Sequence, residues 1–576
     1  MPNVAEFFID SLVRAGVTRI WGLAGDSLNA FTDALRRDGR IEWLHMRHEE
    51  AAAFAAGADA EMTGDLAVVA GSSGPGNLHF INGLFDANRN RVPVLAIASH
   101  IPSAEIGGGY FQETHPQELF RECSVYSELL ADPVQLPYVL EIAMRSAVEK
   151  RGVAVVAVPG DVFFQDAPER RPTAPIRRAL RRVVPLDGEL NLAADVLNAA
   201  KKVTILAGAG VADAHDEVIA LAEALQAPIV HALRGKEHIE WDNPYDVGMT
   251  GLLGFASGYR AMEKCDALLM LGTDFPYRQF LPQDAKIVQV DIRGEQLGRR
   301  TAIDVGIVGG VRETITELLP MIDTGRSGRH LKDSVDHYAK TRNSLDDLAV
   351  DDGKAPMHPQ YVARMVDELA ADDAVFTADV GSPVIWASRY LTMNGRRRLI
   401  GSFSHGSMAN ALPQALGAKA SDRRRQVVAL AGDGGLTMLL GDLLSARQND
   451  LPVVVVVFNN SSLNFIELEM KAAGIVTFGT ELANPNFADV AQAMGITGIR
   501  VERGKDLRPA LEQAFASTGP VLVDVVTARD ELSIPPAITV AQAKGFTMWA
   551  LKTVLSGRGD ELLDLADTNV WRRIFD

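Results

Sequence analysis

The sequence predicts an α/β protein of three doubly wound parallel-sheet domains followed by a C-terminal helical tail, and three observations carry this. Short β-branched runs such as "LAVVAG", "VPVLAIAS", "VTILAGAG", "QVVALA" and "LPVVVVVF" alternate with helical patterns almost throughout. Strands apolar at every position, rather than every second, are those covered by helices on both faces, as in parallel sheets. The 576 residues exceed a single core, since domains run to about 100–200 residues. Two stretches, 170–189 (basic, with Pro) and 323–360 (polar, with Gly and Pro), interrupt the alternation and read as boundaries. Domains of 1–182, 183–335 and 336–530 follow, and 531–576 is left as the tail because the strand pattern stops after "LSIPPAIT".

Composition narrows the partners. A net charge of -17 lacks the basic footprint that a general nucleic-acid partner requires. Two cysteines, Cys123 and Cys265, lie far apart without metal-type spacing and fit a reducing compartment. "MPNVAEFFIDSLVRAG" has apolar residues at helical spacing and no basic lead, so it reads as a helix of the mature protein. No run approaches the ~18 apolar residues of a spanning helix.

In the first domain, Glu50 opens the Ala-rich helix of "HEEAAAFAAGADA". An acid at a helix N-terminus is by itself ordinary, because it interacts favourably with the helix dipole. In the middle domain, "GAGVAD" (Gly208, Gly210) lacks the third glycine of the dinucleotide fingerprint, but Gly272-Thr-Asp and the acid Asp291 fall at strand ends, where phosphates and ribose would meet a sheet edge.

The third domain holds the most informative stretch. "QVVALA" reads as a strand, "GDGG" as its turn, "LTMLLGDLLSARQ" as the crossover helix and "LPVVVVVF" as the next strand, ending in Asn459 and Asn460. Right-handed βαβ units return parallel, so Asp433 and Asn460 emerge at the same carboxyl edge. Strands lie about 4.8 Å apart, or twice that if one intervenes, a span that one ion bridges. A carboxylate, an amide oxygen and a carbonyl suit Mg²⁺, which completes its octahedron with phosphate and water. Gly434 and Gly435 let backbone amides approach those phosphates.

With 24 residues between Gly434 and the Asn pair, and with "GSSGPGNLHFINGLFDANRNRVPVLAI" and "SHGSMANALPQALGA", the chain resembles the thiamine-diphosphate-dependent enzymes. The resemblance implies that Asp433, Asn460 and the Ser462 carbonyl hold Mg²⁺ and diphosphate. It places Gly406, Ser407, Gly434, Gly435, Ser461, Leu463, Asn464, Phe465 and Ile466 beside the cofactor and Met408 as the prop that bends it. Glu50 becomes the buried acid that hydrogen-bonds the aminopyrimidine ring.

Nearly the whole chain, through "TRIWGLAGDSLN", "SHIPSAEIGGGYFQETHPQELFRECS", "APIVHALRGKEHIEWDNPYDVGMTGLLGF" and "GPVLVDVV", resembles the family of flavin-dependent, quinone-linked pyruvate dehydrogenases and pyruvate oxidases. That implies pyrimidine-binding, FAD-binding and diphosphate-binding domains in order. FAD would meet Gly251, Leu252, Leu253, Gly254, Asp274 and Ile292. Pyruvate would lie among Phe111, Gln112, Val380, Phe465 and Ile466, with Gln112 and Glu469 hydrogen-bonding substrate and intermediate. In the family Phe465 moves toward the cofactors on activation. Asn464 stands where close relatives carry glycine and Glu467 where they carry a small apolar residue, which puts that loop's mobility in question.

The implied reaction takes pyruvate to acetate and CO₂ and passes electrons through FAD to ubiquinone or menaquinone. In the tail, Leu562, Ala566, Val570 and Ile574 recur every four residues opposite Glu561, Asp564, Asp567 and Arg572, the pattern of a helix lying in a lipid interface. A cytoplasmic protein peripherally bound to the inner face of the cell membrane is expected, as a dimer at least and a tetramer in the fuller expectation. Two other activities of the resemblance are a phosphate- and O₂-using pyruvate oxidase and an acetolactate synthase-type carboligase.

Overall fold

The computed structural model describes residues 2–169, 176, 182–529, 531 and 548. The tail helix and the residues named in it lie outside the described residues.

Eighteen strands among the described residues form three six-stranded sheets, every described strand pairing being parallel. The first contains β1 (Arg19–Gly22), β2 (Glu42–His45), β3 (Ala67–Gly71), β4 (Val94–His100), β5 (Tyr126–Leu129) and β6 (Val153–Pro159), in the order β2-β1-β3-β4-β6-β5. The second contains β7 (Val203–Ala207), β8 (Ile229–His231), β9 (Asp246–Met249), β10 (Ala267–Leu271), β11 (Lys286–Asp291) and β12 (Val305–Val308), ordered β12-β11-β10-β7-β8-β9. The third contains β13 (Val375–Ala378), β14 (Arg398–Gly401), β15 (Val427–Gly432), β16 (Val454–Asn459), β17 (Thr497–Val501) and β18 (Val521–Val526) and repeats the first sheet's order, as β14-β13-β15-β16-β18-β17. The middle order is that of dinucleotide-binding sheets, whose ligands sit where the order reverses, here between β7 and β10.

The central strands β3, β4, β6, β7, β10, β13 and β16 are buried at every position, as their uninterrupted apolar runs require. The first and third sheets share one core. The Ala-rich helix Glu49–Thr63 lies against the helix Ala411–Ser421, and residues of both belong to a single buried cluster with Trp21, Phe80, Val427 and Val455. Small residues allow the approach: a Cβ on Gly417 would stand 2.1 Å from the Ala55 carbonyl oxygen. The N-terminal helix forms over Val4–Arg14, closed by an Asn3–Glu6 capping box.

One local expectation is corrected. "GDGG" is not a free turn followed by one long helix: a helix starts at Asp433 and ends at Met438, and a second runs over Leu443–Gln448. Asp442 makes the break useful, its Oδ1 accepting the Ser445 hydroxyl at 2.7 Å and the Arg47 amide of the first domain at 2.9 Å. Among the described residues no helix is long and apolar enough to cross a membrane.

Candidate active site

Gly432 of β15 is in register with Phe458 of β16, so Asp433 and the Asn459–Asn460 pair leave adjacent strand ends. The chain then turns through Ser461 at φ +56°. Asp433 is buried. Its Oδ1 accepts the Gly434 amide at 2.8 Å, and its Oδ2 accepts the amides of Asn460 (3.1 Å) and Ser461 (2.7 Å) and the Asn484 side chain (2.8 Å). Burial still pushes its pKa up, and the groups opposing that are amide donors, none of them a cation. A divalent cation is the countercharge such a carboxylate accepts. The Asn460 side-chain oxygen accepts the Ser462 amide at 3.0 Å, so the three expected metal ligands meet at two adjacent strand ends, Asp433 after β15 and Asn460 and Ser462 after β16. The terminal methyl of Met408 and the Leu463 side chain lie over Gly434, where a Cβ would meet them at 3.3 and 2.9 Å. Gly434, Met408 and Leu463 therefore lie together, and Gly435 lies against Asp379 and Ala409. The residues fit a magnesium diphosphate.

Glu50 is corrected in one respect: it is half-buried in this chain, and the fully buried acid is its neighbour Glu49, which pairs with His79 at 2.8 Å. Burial all round the helix begins at Ala51, and Glu50, one residue before, stays half-open within this chain. Its Oε1 accepts Asn82 at 2.7 Å. The same Asn82 nitrogen reaches Ser407 Oγ at 2.8 Å, and the Asn82 oxygen lies 2.8 Å from His405 Nε2. Asn82 thus ties the Glu50 helix to the loop that carries Gly406, Ser407 and Met408, with Gly406 in the left-handed region.

A cavity of about 790 Å³ opens at the reversal point of the middle sheet. Its walls include Gly208, Gly210, Asp274, Asp291 and Ile292 from that sheet and Val380, Gly406 and Phe465 from the third domain. Gly210 and Gly272 are in backbone contact, a Cβ on either falling within 2.6 Å of the other. Leu252 and Leu253 line the cavity, whereas Gly251 and Gly254 build the turn beneath them. That turn is held by Arg389, whose Nε donates to the Leu253 carbonyl at 3.1 Å and whose pKa burial pushes down to about 10. Thr250 Oγ1 is buried without a partner in this wall. Arg91, Arg151, Arg234 and Arg293 line it together with the acids Glu149, Asp213, Asp274, Asp291 and Glu313, and Arg293 pairs with Asp274 at 2.7 Å. Close glycine approach and the position at the sheet's reversal point fit a dinucleotide such as FAD.

Of the residues expected around pyruvate, Val380 and Phe465 line this cavity. Ile466 and Glu469 are exposed on the same helix, Asn464–Ala472, and the charge of Glu469 adds to the burial that raises the Tyr277 pKa. Phe111 and Gln112 do not line it. Phe111 is 78% exposed, and Gln112, at φ +62°, accepts the Ser73 hydroxyl at 3.1 Å.

Sequence reasoning missed Asn82, Asn484, Arg389 and Asp379. Asp379 follows β13 directly, beside β15, accepts the amides of Ala411 (2.9 Å) and Gly432 (3.1 Å), and is pushed up to about 7 by burial. Its "ADVG" context resembles "AGDGG", a signal that was available. The amide side chains carried none.

Two sheets of one topology, a shared helical core and a carboxylate–asparagine turn for a metal diphosphate define a thiamine-diphosphate-binding architecture with a nucleotide-type sheet between its halves. The comparisons agree in all three parts. The N-terminal TPP (thiamine pyrophosphate, that is, diphosphate) binding domain of thiamine pyrophosphate enzymes matches residues 2–119, their central domain 190–318 and their C-terminal TPP binding domain 379–525. The chain belongs to this enzyme family. It is 37% identical over 566 residues to a putative thiamine pyrophosphate-containing protein of Bacillus subtilis, covering 98% of both chains. It is 30% identical over 527 residues to the pyruvate oxidase of Lactiplantibacillus plantarum (89% of this chain, 87% of that one). It is 27% identical over 586 residues to the acetolactate synthase large subunit of Corynebacterium glutamicum (97% and 92%).

Proposed function

We propose that this thiamine-diphosphate enzyme oxidatively decarboxylates pyruvate with FAD as its internal electron acceptor and a quinone as the external one. Pyruvate, water and quinone yield acetate, CO₂ and the quinol. The observation that carries the reading is the single cavity shared by the nucleotide edge of the middle sheet and by Val380 and Phe465 of the diphosphate domain. When bound, thiamine diphosphate supplies a nucleophilic carbon and an electron sink, and FAD a two-electron acceptor.

The chain's own residues do the rest. Asp433, Asn460 and the Ser462 carbonyl hold Mg²⁺ and the diphosphate. Met408 would support the bound cofactor beside Gly434, and Glu50, oriented by Asn82, would hydrogen-bond its pyrimidine. Val380 and Phe465 form an apolar wall that excludes water, while Glu469, one turn on from Phe465 on the same helix, would hydrogen-bond the substrate. Phe111 and Gln112 reach a substrate site only if another copy supplies them, which makes the working unit a dimer at least and a tetramer in our reading. The domains divide at 182/183 and 335/336, and the apolar stripe of 531–576 brings the enzyme to the inner face of the cell membrane, where its quinone is dissolved.

Anaerobic titration with pyruvate tests the reading. The flavin should bleach, CO₂ and acetate should appear in equal amounts, and a soluble quinone should restore the oxidised spectrum. The similarity to pyruvate oxidase and acetolactate synthase defines the competing results: acetyl phosphate formed with O₂ and phosphate, or acetolactate formed without bleaching.

A further inference from the structure

The first turns of the helix Asn464–Ala472 hold a buried ionic cluster that the mechanism above does not use. Glu467 is 3% exposed. Its Oε2 accepts the Ser462 hydroxyl at 2.6 Å and Arg529 Nε at 3.2 Å, and its Oε1 lies 3.0 Å from Lys471 Nζ. Asn464 closes the other side: its oxygen accepts the Ser382 hydroxyl at 2.9 Å, and its nitrogen donates to the Arg529 carbonyl. One carboxylate thus grips Ser462, whose amide already bonds Asn460, and joins it to Arg529, three residues beyond β18. A hydroxyl held by an ionised acceptor is fixed more firmly than by a neutral one. The carbonyl of a residue so fixed at both its amide and its side chain has little freedom.

We propose that Glu467 is a positioning residue: it sets the Ser462 carbonyl for the divalent cation and makes the grip on metal and diphosphate depend on Arg529, at the root of the C-terminal segment. Phe465, two residues from Glu467 on the same helix, is carried by the same clamp. The inference rests on the cofactor reading above, so its test must separate the two.

The measurement is binding of thiamine diphosphate to the full-length apoprotein across a Mn²⁺ series, by equilibrium dialysis and by Mn²⁺ paramagnetic resonance, without turnover. Glu467→Gln removes the ion pair with the buried Lys471, so folding is checked by circular dichroism. Ser462→Ala, which keeps the carbonyl and the Glu467 ion pairs, and Arg529→Gln, which keeps Lys471 on Glu467, carry the test if that variant fails to fold. Each of these two should weaken Mn²⁺-dependent binding about tenfold, and the double variant should be no weaker than the poorer single variant, because both act through one carboxylate. Wild-type affinity in Ser462→Ala, or losses that multiply in the double variant, overturns the proposal. A wild-type protein that binds no thiamine diphosphate with Mn²⁺ overturns the cofactor reading itself.

Discussion

Gly83→Ala sets two forces against each other beside the proposed acid. Gly83 lies in the helix Ile81–Asn90, next to Asn82. Helix propensity alone favours alanine there by about 1 kcal/mol. Packing opposes it: a Cβ at Gly83 would stand 2.6 Å from the Ala53 Cβ and 2.9 Å from both the Glu50 carbonyl oxygen and the Phe54 amide nitrogen. Two of these atoms are backbone and the third is fixed to it, so no rotamer change relieves the contact. The first turn of the Glu50 helix must retreat by several tenths of an ångström to reach ordinary contact distance. Overpacking of this kind costs about 1–3 kcal/mol, more than the propensity gain, so the substitution should destabilise. Displacement on the scale of 1 Å in a positioned catalytic group costs roughly 100-fold in rate. Denaturant unfolding of the apoprotein and CO₂ release from pyruvate by the reconstituted enzyme are the assays. A variant as stable and as active as the wild type would refute both the packing argument and the role given to Glu50.

Other predictions follow from single groups. Asp433→Ala should abolish Mg²⁺-dependent retention of thiamine diphosphate on gel filtration, since it removes the carboxylate at the centre of the turn. Thr250→Val should stabilise the apoprotein by about 1 kcal/mol in denaturant unfolding, because it removes a buried hydroxyl that has no partner; a loss of stability would show that the hydroxyl is bonded. Burial pushes Asp246 up to about 7. Between the ordinary carboxylate value and 7 the folded chain keeps a proton that the unfolded chain releases, so this group makes stability fall as pH rises across that window, by up to about 1.4 kcal/mol per pH unit. Asp246→Asn should flatten that part of the pH profile of apoprotein unfolding; an unchanged slope would show that the carboxyl is not buried as described.

The strands were legible because β-branched runs between turn formers have few other uses, and the parallel sheets because those runs lack polar alternation. The Asp433–Asn460 pairing was legible because one βαβ crossover is a local, short-range geometry. Asn82 joining Glu50 to Ser407 spans more than 300 residues, and an asparagine carries no periodic or charge signal at such range. Glu467 could be singled out in the sequence only as a departure from the resemblance. Its partner Arg529, 62 residues on, could not be foreseen. The broken helix after Asp433 was missed because Asp442 caps a neighbouring domain's backbone rather than its own turn alone.

The amino-acid sequence by itself determined the strand–helix alternation, the three sheets and the chemistry of the diphosphate turn, because these depend on burial pattern and on residues a few positions apart. Only the tertiary structure decided that the first and third sheets share a helical core, that Glu49 and not Glu50 is the acid enclosed within the chain, and that the nucleotide edge opens into one cavity with Phe465. Those outcomes depend on which surfaces meet across hundreds of residues, and close approach there is set by the absence of side chains at Gly83 and Gly417 as much as by any side chain present.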